Sequence, residues 1–331
     1  MNRISATIMK DTFRKILKYT LSVTIAFVLL WFSFRDVEWS EFAEGLKSCR
    51  WGFIATSMAA GAFAFWLRGL RWRQLLLPID PHTTRVTTFN GINIGNISNF
   101  VFPRIGEFVR CGVIVRRTTA TYDKVLGTVV LERSWELLVM LLMLAIVVVA
   151  GFERFGTFFV EEIWTPMSQK FNMWWAAAVL LVLMAAAVYV VWKFRERNGF
   201  CAKVWGVFRG IFQGFSSCLR MDKKWLFFAY TAFIWVIYWL MAACSMWAAP
   251  FLDHLDIVDA LFLSLVGGLG FAVPVPGGIG AFHFIIGLAL SAVYGIPMET
   301  GIIYATISHT SQAITQIAFG AGSYAYEALK K

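Results

Sequence analysis

The chain has 331 residues, of which 59% are hydrophobic and only 15% charged, and its formal net charge is +10. Soluble domains average about 45–50% apolar and about 25% charged residues, and no stretch here is long or polar enough to form a separate soluble catalytic domain. The bases lie in short loops beside apolar runs, which is how membrane orientation is encoded, so no nucleic-acid partner is expected.

A basic tail, 1–18, leads into the first apolar run at 17–34, and no small-residue cleavage site follows it. It reads as a retained span and not as a signal peptide. Residues 36–51 mix aromatic and charged side chains at helical spacing, as either an interfacial helix or a connecting helix packed on the bundle. Further spans are predicted at 51–67, 125–150, 174–194, 225–249 and 302–326, all near the ~20 residues that cross ~30 Å of hydrocarbon. The stretch 201–220 has the same two readings as 36–51; anionic lipid would attract its Lys203, Arg209 and Arg220. The cysteines (Cys49, Cys111, Cys201, Cys218, Cys244) are scattered, and the four histidines lack ligand spacing. Neither disulfides, nor a metal, nor a cofactor is expected.

Two apolar stretches depart from simple spans. One, 86–102, closes on FVFPRIGEFVR (100–110); the other, 258–296, is broken by PVPGGIG (274–280) into limbs of about 15 residues, short for a crossing. Broken helices at membrane depth persist only where protein or a wet cavity surrounds the freed backbone. Both are predicted to be re-entrant. The fold class is therefore all-α: a polytopic bundle of about six full spans plus two re-entrant broken helices, in one integral membrane domain over 1–331. Counting both limbs of 258–296 as full spans would preserve the topology, so charge leaves that choice open.

With both breaks re-entrant, segments 1–18, 68–85, 104–124, 193–224 and 327–331 fall on one side and hold 24 Lys and Arg against 7 Asp and Glu. The other side holds 5 basic and 11 acidic residues. By the positive-inside rule the basic side, with both termini, is cytoplasmic.

FPRIGEF (102–108) lies over PGGIGAF (276–282) at an offset of 174, matching Ile105, Gly106 and Phe108 to Ile279, Gly280 and Phe282. The two hairpins would enter from opposite sides, as in an inverted repeat with halves 86–150 and 260–326, where discontinuous helices meet near the midplane and form the substrate site.

Polar residues concentrate at these breaks. Asn90, Asn93, Asn96 and Asn99 recur every third residue and form a slowly rotating stripe, which should face protein or water. Arg104, Glu107 and Arg110 continue it at spacings that let Glu107 pair with either arginine. Pro103 and Gly106 break the helix, and a new helix starting near Gly106 would aim backbone N–H groups at an anion, with an arginine fork beside them. Glu132, Arg133 and Glu136 sit in a long apolar helix, where ionisable residues persist when paired or functional. They form either a structural ion pair to the 104–110 segment, a substrate contact, or an interfacial group. Pro274 and Pro276 with Gly277, Gly278 and Gly280 suit a hairpin tip, since glycine permits φ > 0. His283 follows, and His309, Gln312 and Gln316 share one face of the last span, as interhelical glue or as ligands. His283 and His309 could also relay protons.

The Leu-Arg-x-x-Arg-Trp pattern (Leu67 to Trp72), Asn-x-x-x-Pro-Arg-x-Gly-Glu-x-x-Arg (Asn99 to Arg110), Glu-Arg (132–133) and Pro-x-Pro-Gly-Gly-x-Gly (Pro274 to Gly280) occur in this order. Here the chain resembles the flippase-like transmembrane family related to the membrane half of lysylphosphatidylglycerol synthetase, the multiple peptide resistance factor. The resemblance covers nearly the whole chain, without that protein's soluble aminoacyl-transferase part, so lipid aminoacylation is not expected. It implies a module of the bacterial cytoplasmic membrane that moves a lipid between leaflets. The family often has arginine where His309 falls.

The leading expectation is a non-enzymatic flippase or lipid transporter for a phospho-, aminoacyl- or polyprenyl-linked lipid. Asn96, Asn99, Arg104, Glu107, Arg110, Glu132, Arg133, Glu136, Gly277, Gly278, Gly280, His283, His309 and Gln312 would line its substrate site. Expected partners are membrane lipid, a lipid-modifying or glycosyl-transferring enzyme, and a second copy of the chain. No G-x-x-x-x-G-K-S/T motif occurs, so movement would be passive, ion-coupled or partner-driven. The rivals are a scaffold that presents lipid to an enzyme and a proton-coupled small-solute transporter.

Overall fold

The computed structural model describes residues 20, 24–35, 37–156, 158–165, 182, 186, 188–196, 198–199, 201–202, 204–206, 209 and 221–330. The predicted tail 1–18, most of the span at 174–194 and most of the stretch at 201–220 lie outside the described residues. Helices α1 (Thr24–Phe34), α2 (Trp39–Ser48), α3 (Trp51–Leu76), α4 (Arg85–Val101), α5 (Gly106–Arg117) and α6 (Tyr122–Ala150) are followed by π-helical turns at Phe152–Gly156 and Phe158–Trp164. Then come α7 (Lys224–Trp247), α8 (Ile257–Gly270), α9 (Ala281–Tyr294) and α10 (Met298–Leu329), and no strand occurs among the described residues. Trp51–Leu76, Tyr122–Ala150, Lys224–Trp247 and Pro276–Tyr294 are long and apolar enough to cross a membrane. This is an all-α, multi-pass membrane protein.

The described residues divide into two compact units, one from Met1–Leu70, Arg85–Arg110 and Phe228–Lys331, the other from Arg71–Thr84 and Cys111–Phe227. Helix α3 runs to Leu76, well beyond the predicted end at 67. Its extra turns bury Arg68, Arg71 and Trp72. A span ending at 67 leaves Arg68 and Arg71 in the segment 68–85 on the basic side; here both continue the helix and are buried.

In the first unit α3 runs antiparallel to α7. Ser57 Oγ lies 3.2 Å from Ser245 Oγ and donates to the Met241 carbonyl, and Ala64 and Leu67 pack on Ile234 and Ile237. Gln312 of α10 donates to Ser57 Oγ at 3.1 Å, which makes it glue between α10 and α3. Helix α2 docks its apolar face (Phe42, Leu46) on Cys49, Ile54, Ala248, Ile303 and Ile307, the packed-connector reading of that stretch.

Helix α10 is the reference rod for both broken segments. Asn90 donates to Glu327 at 2.7 Å, Asn93 to Ser323 at 3.2 Å, and Gly320 abuts Ile97, so α4 descends antiparallel along the C-terminal half of α10. At the other end Gly287 abuts Ile302 and Gly301, while the Gly277 carbonyl meets His309. The α8–α9 hairpin thus runs along the N-terminal part. From Ile302 to Glu327 α10 rises about 37 Å, so the two broken segments enter from opposite ends of one helix and their tips meet part-way along it.

The limbs α8 and α9 have 14 residues each, about 21 Å of helix and short of ~30 Å of hydrocarbon. Their outer ends are tied. Asp256 caps α8 by accepting from the Val258 and Asp259 amides, and Asp259 accepts from the Asp256 amide and from Tyr294 Oη of α9 at 2.8 Å. The two limbs thus fold back on each other as a helical hairpin, the shape that the re-entrant reading calls for. Shifting the bounds of α4, α5 and α6 by 174 gives 259–275, 280–291 and 296–324, beside the observed 257–270, 281–294 and 298–329.

Candidate functional site

The first tip forms because Pro103 and Gly106 interrupt the helix between Val101 and Gly106. Gly95 and Gly106 approach so closely that a side chain on Gly106 would strike the Gly95 carbonyl. Asn99 Oδ1 accepts the Gly106 amide at 2.8 Å. The Phe108 and Val109 amides both go to the Ile105 carbonyl at 3.0 Å. The helix does start at Gly106, as expected, but its free donors are corrected: the Gly106 and Phe108 amides are taken by the Asn99 side-chain oxygen and the Ile105 carbonyl.

Arg104 has φ 60°, the one non-glycine in the left-handed region among the described residues. Its counterpart at the offset of 174, Gly278, has φ 76°. A side chain in that region costs about 1–2 kcal/mol. Arg104 is exposed on the protein surface and its Nη2 donates to the Ala272 carbonyl. Phe100 covers Gly277, where an added Cβ would lie 2.5 Å from the ring. These two contacts join the tips. Behind them Arg110, 2% exposed, pairs with Glu107 at 2.8 Å, the predicted i, i+3 partner. Asn96 Nδ2 is buried without an acceptor among the described residues.

At the second tip Gly277, Gly278 and Gly280 all have positive φ (59°, 76° and 83°). Each is also crowded, by Phe100, Phe271 and the α1 backbone at Ala26 respectively. Pro276 opens a single tight turn, Pro274 is exposed, and α9 begins after Gly280. His309 Nε2 lies 2.9 Å from the Gly277 carbonyl. Its ring stacks on Phe271 and touches Phe282 and His283, with ring centres 5.9, 5.4 and 5.1 Å away. Sequence spacing placed these histidines one per helix; only the hairpin makes them neighbours.

The second unit holds the other predicted cluster. Arg71 Nη2 donates to Glu132 Oε1 at 2.9 Å and also to Glu136, and Arg133 pairs with Glu136 at 2.6 Å. Arg71 and Glu132 are fully buried. Two guanidinium groups and two carboxylates balance, which is how buried charge is tolerated. Trp72 Nε1 donates to Thr128 Oγ1 at 2.9 Å beside them, and Arg71 lies 5.9 Å from the Phe227 ring centre. Of the three readings the sequence leaves open, the ion pair was expected to the 104–110 segment; in this unit the partner is Arg71, from the Leu67–Trp72 pattern. The signal was available: arginine four residues past Leu67, on a helix long enough to carry it into the interior.

Residues 19–320 match the family model described as the lysylphosphatidylglycerol synthase TM region. The chain belongs to this family. No curated protein and no solved structure matches it. The broken segments, their tips and the Arg71–Glu132 cluster all fall inside the part of the chain that the lysylphosphatidylglycerol synthase TM region covers.

Proposed function

We propose that this member of the lysylphosphatidylglycerol synthase TM family moves a phosphate-bearing lipid between leaflets, as a transporter and not as an enzyme. The observation that carries the reading is a pair of hairpins inserted from opposite ends of α10, with tips joined through Arg104 and Gly277. Such opposed half-helices make a thin barrier with polar groups at mid-depth. Arg104 is held in a costly backbone conformation while its guanidinium stays exposed, and strain of this kind concentrates where a side chain is needed for function. A guanidinium fork matches phosphate oxygens in pairs. Arg110, Glu107 and Asn96 form the second layer, and the acyl chains remain in lipid while the headgroup passes. We assign the protein to a bacterial cytoplasmic membrane with both termini inside, beside an enzyme that makes or consumes the lipid.

The test is leaflet exchange of a fluorescent phosphatidylglycerol in vesicles containing the purified protein alone, read by dithionite quenching. Wild type should exchange the lipid, and Arg104→Ala should lower the rate at least tenfold. Arg104→Gly should raise thermal stability by about 1 kcal/mol by relieving the φ 60° strain, yet exchange as poorly as Arg104→Ala. Full activity in Arg104→Gly would remove Arg104 from the site. Absence of exchange by wild type would favour the lipid-presenting scaffold.

A further inference from the structure

We propose that His283 and His309 form a proton-binding site that couples lipid movement to a proton gradient through the second hairpin tip; this rests on the transport reading above. Both rings are buried, with 4% and 7% exposed. They touch each other where the two hairpin tips meet part-way along α10. A carbonyl only accepts hydrogen bonds, so the contact to Gly277 places the His309 hydrogen on Nε2 and leaves Nδ1 able to take a further proton. His283 Nδ1 is buried with no hydrogen-bond partner among the described residues. An unsatisfied buried nitrogen has a net cost, and ionisable groups inside a membrane are functional by default.

The surroundings couple the site to the gate. Phe34 of α1 lies 5.8 Å from His283, Phe282 of α9 contacts both rings, and Phe271 of the break stacks on His309. Among the described residues the ionisable group bearing on His283 is His309 itself, and the charge reaching the break is Arg104 at the Ala272 carbonyl. This aromatic housing suits two neutral rings, whereas a cation among them needs water. Proton uptake therefore favours a tip that has moved off His309 and admitted water, and proton loss returns it. A ligand shifts such an equilibrium by its differential affinity for the two states. In a chain without a nucleotide-binding motif, the site provides a means of driving transport.

The experiment uses the full-length protein in vesicles and in nanodiscs. With an imposed gradient of two pH units, exchange of fluorescent phosphatidylglycerol should change several-fold relative to no gradient. His309→Gln keeps an N–H donor for the Gly277 carbonyl but cannot be protonated. In it and in His283→Gln, exchange should proceed at the same rate with and without the gradient. Nitrogen-15 histidine NMR gives a readout independent of lipid, because the chain has only four histidines and single variants assign them. At least one of the pair should titrate between pH 5 and 9. No titration of either ring in that range, or a gradient response that survives in both variants, overturns the proposal. Titration without any lipid exchange by wild type would sink the transport reading, leave the proton site standing and overturn its coupling to lipid.

Discussion

Individual side chains set the stability of the loops that hold the spans. Asp80, 2% exposed, accepts from the Thr119 amide at 2.7 Å, Thr119 Oγ1 at 2.9 Å and the His82 amide at 2.8 Å. The Thr119 amide, with the other hydrogen bonds, holds its carboxyl below the ordinary 3.8. A lowered carboxylate stabilises the fold above its ordinary pKa and loses that contribution as pH falls through its own lower value. Asp80→Asn should therefore destabilise the protein by about 1–3 kcal/mol at pH 7, and the gap between variant and wild type should close below about pH 4. Thermal unfolding in detergent across pH measures both. Spacing could not supply this residue, because its partner lies 39 positions away. The Glu107–Arg110 and Arg133–Glu136 pairs were readable, because a helix brings i and i+3 together without help.

Among the elements, the hairpin tips are the parts whose chemistry was most legible. Proline and clustered glycine mark a break in any surroundings, and PVPGGIG became the turn before α9. The tip glycines differ in what they tolerate. A Cβ on Gly278 would combine φ 76° with a 2.5 Å approach to Phe271, whereas Gly295 has φ 65° and nothing within 4 Å. Gly295→Ala should thus cost only the backbone term, about 1–2 kcal/mol, and Gly278→Ala clearly more. Melting curves of the two variants side by side test this; equal losses would mean that the Phe271 ring moves aside freely. The opposite error occurred at α5. A helix start looks like an anion site in sequence, but Asn99 and Ile105 occupy its donors, and side-chain capping is decided by local geometry that spacing only suggests.

For the whole molecule, the charge bias puts both termini on the basic side in the proposed topology. A fluorescent protein fused after Lys331 should be bright and alkaline phosphatase at the same point silent, with the reverse for fusions in 152–173. Inverted signals would reverse the proposed orientation. The sequence by itself determined that the chain is membrane-embedded and helical, where its helices break, and which side is basic. These follow from composition and local periodicity, which each segment carries alone. Tertiary structure decided that the two tips meet on α10, that Arg71 pairs with Glu132 and Glu136, and that His283 and His309 stand side by side. Those contacts join residues tens to hundreds of positions apart, and only the packing of helices against one another brings them within hydrogen-bond or van der Waals range.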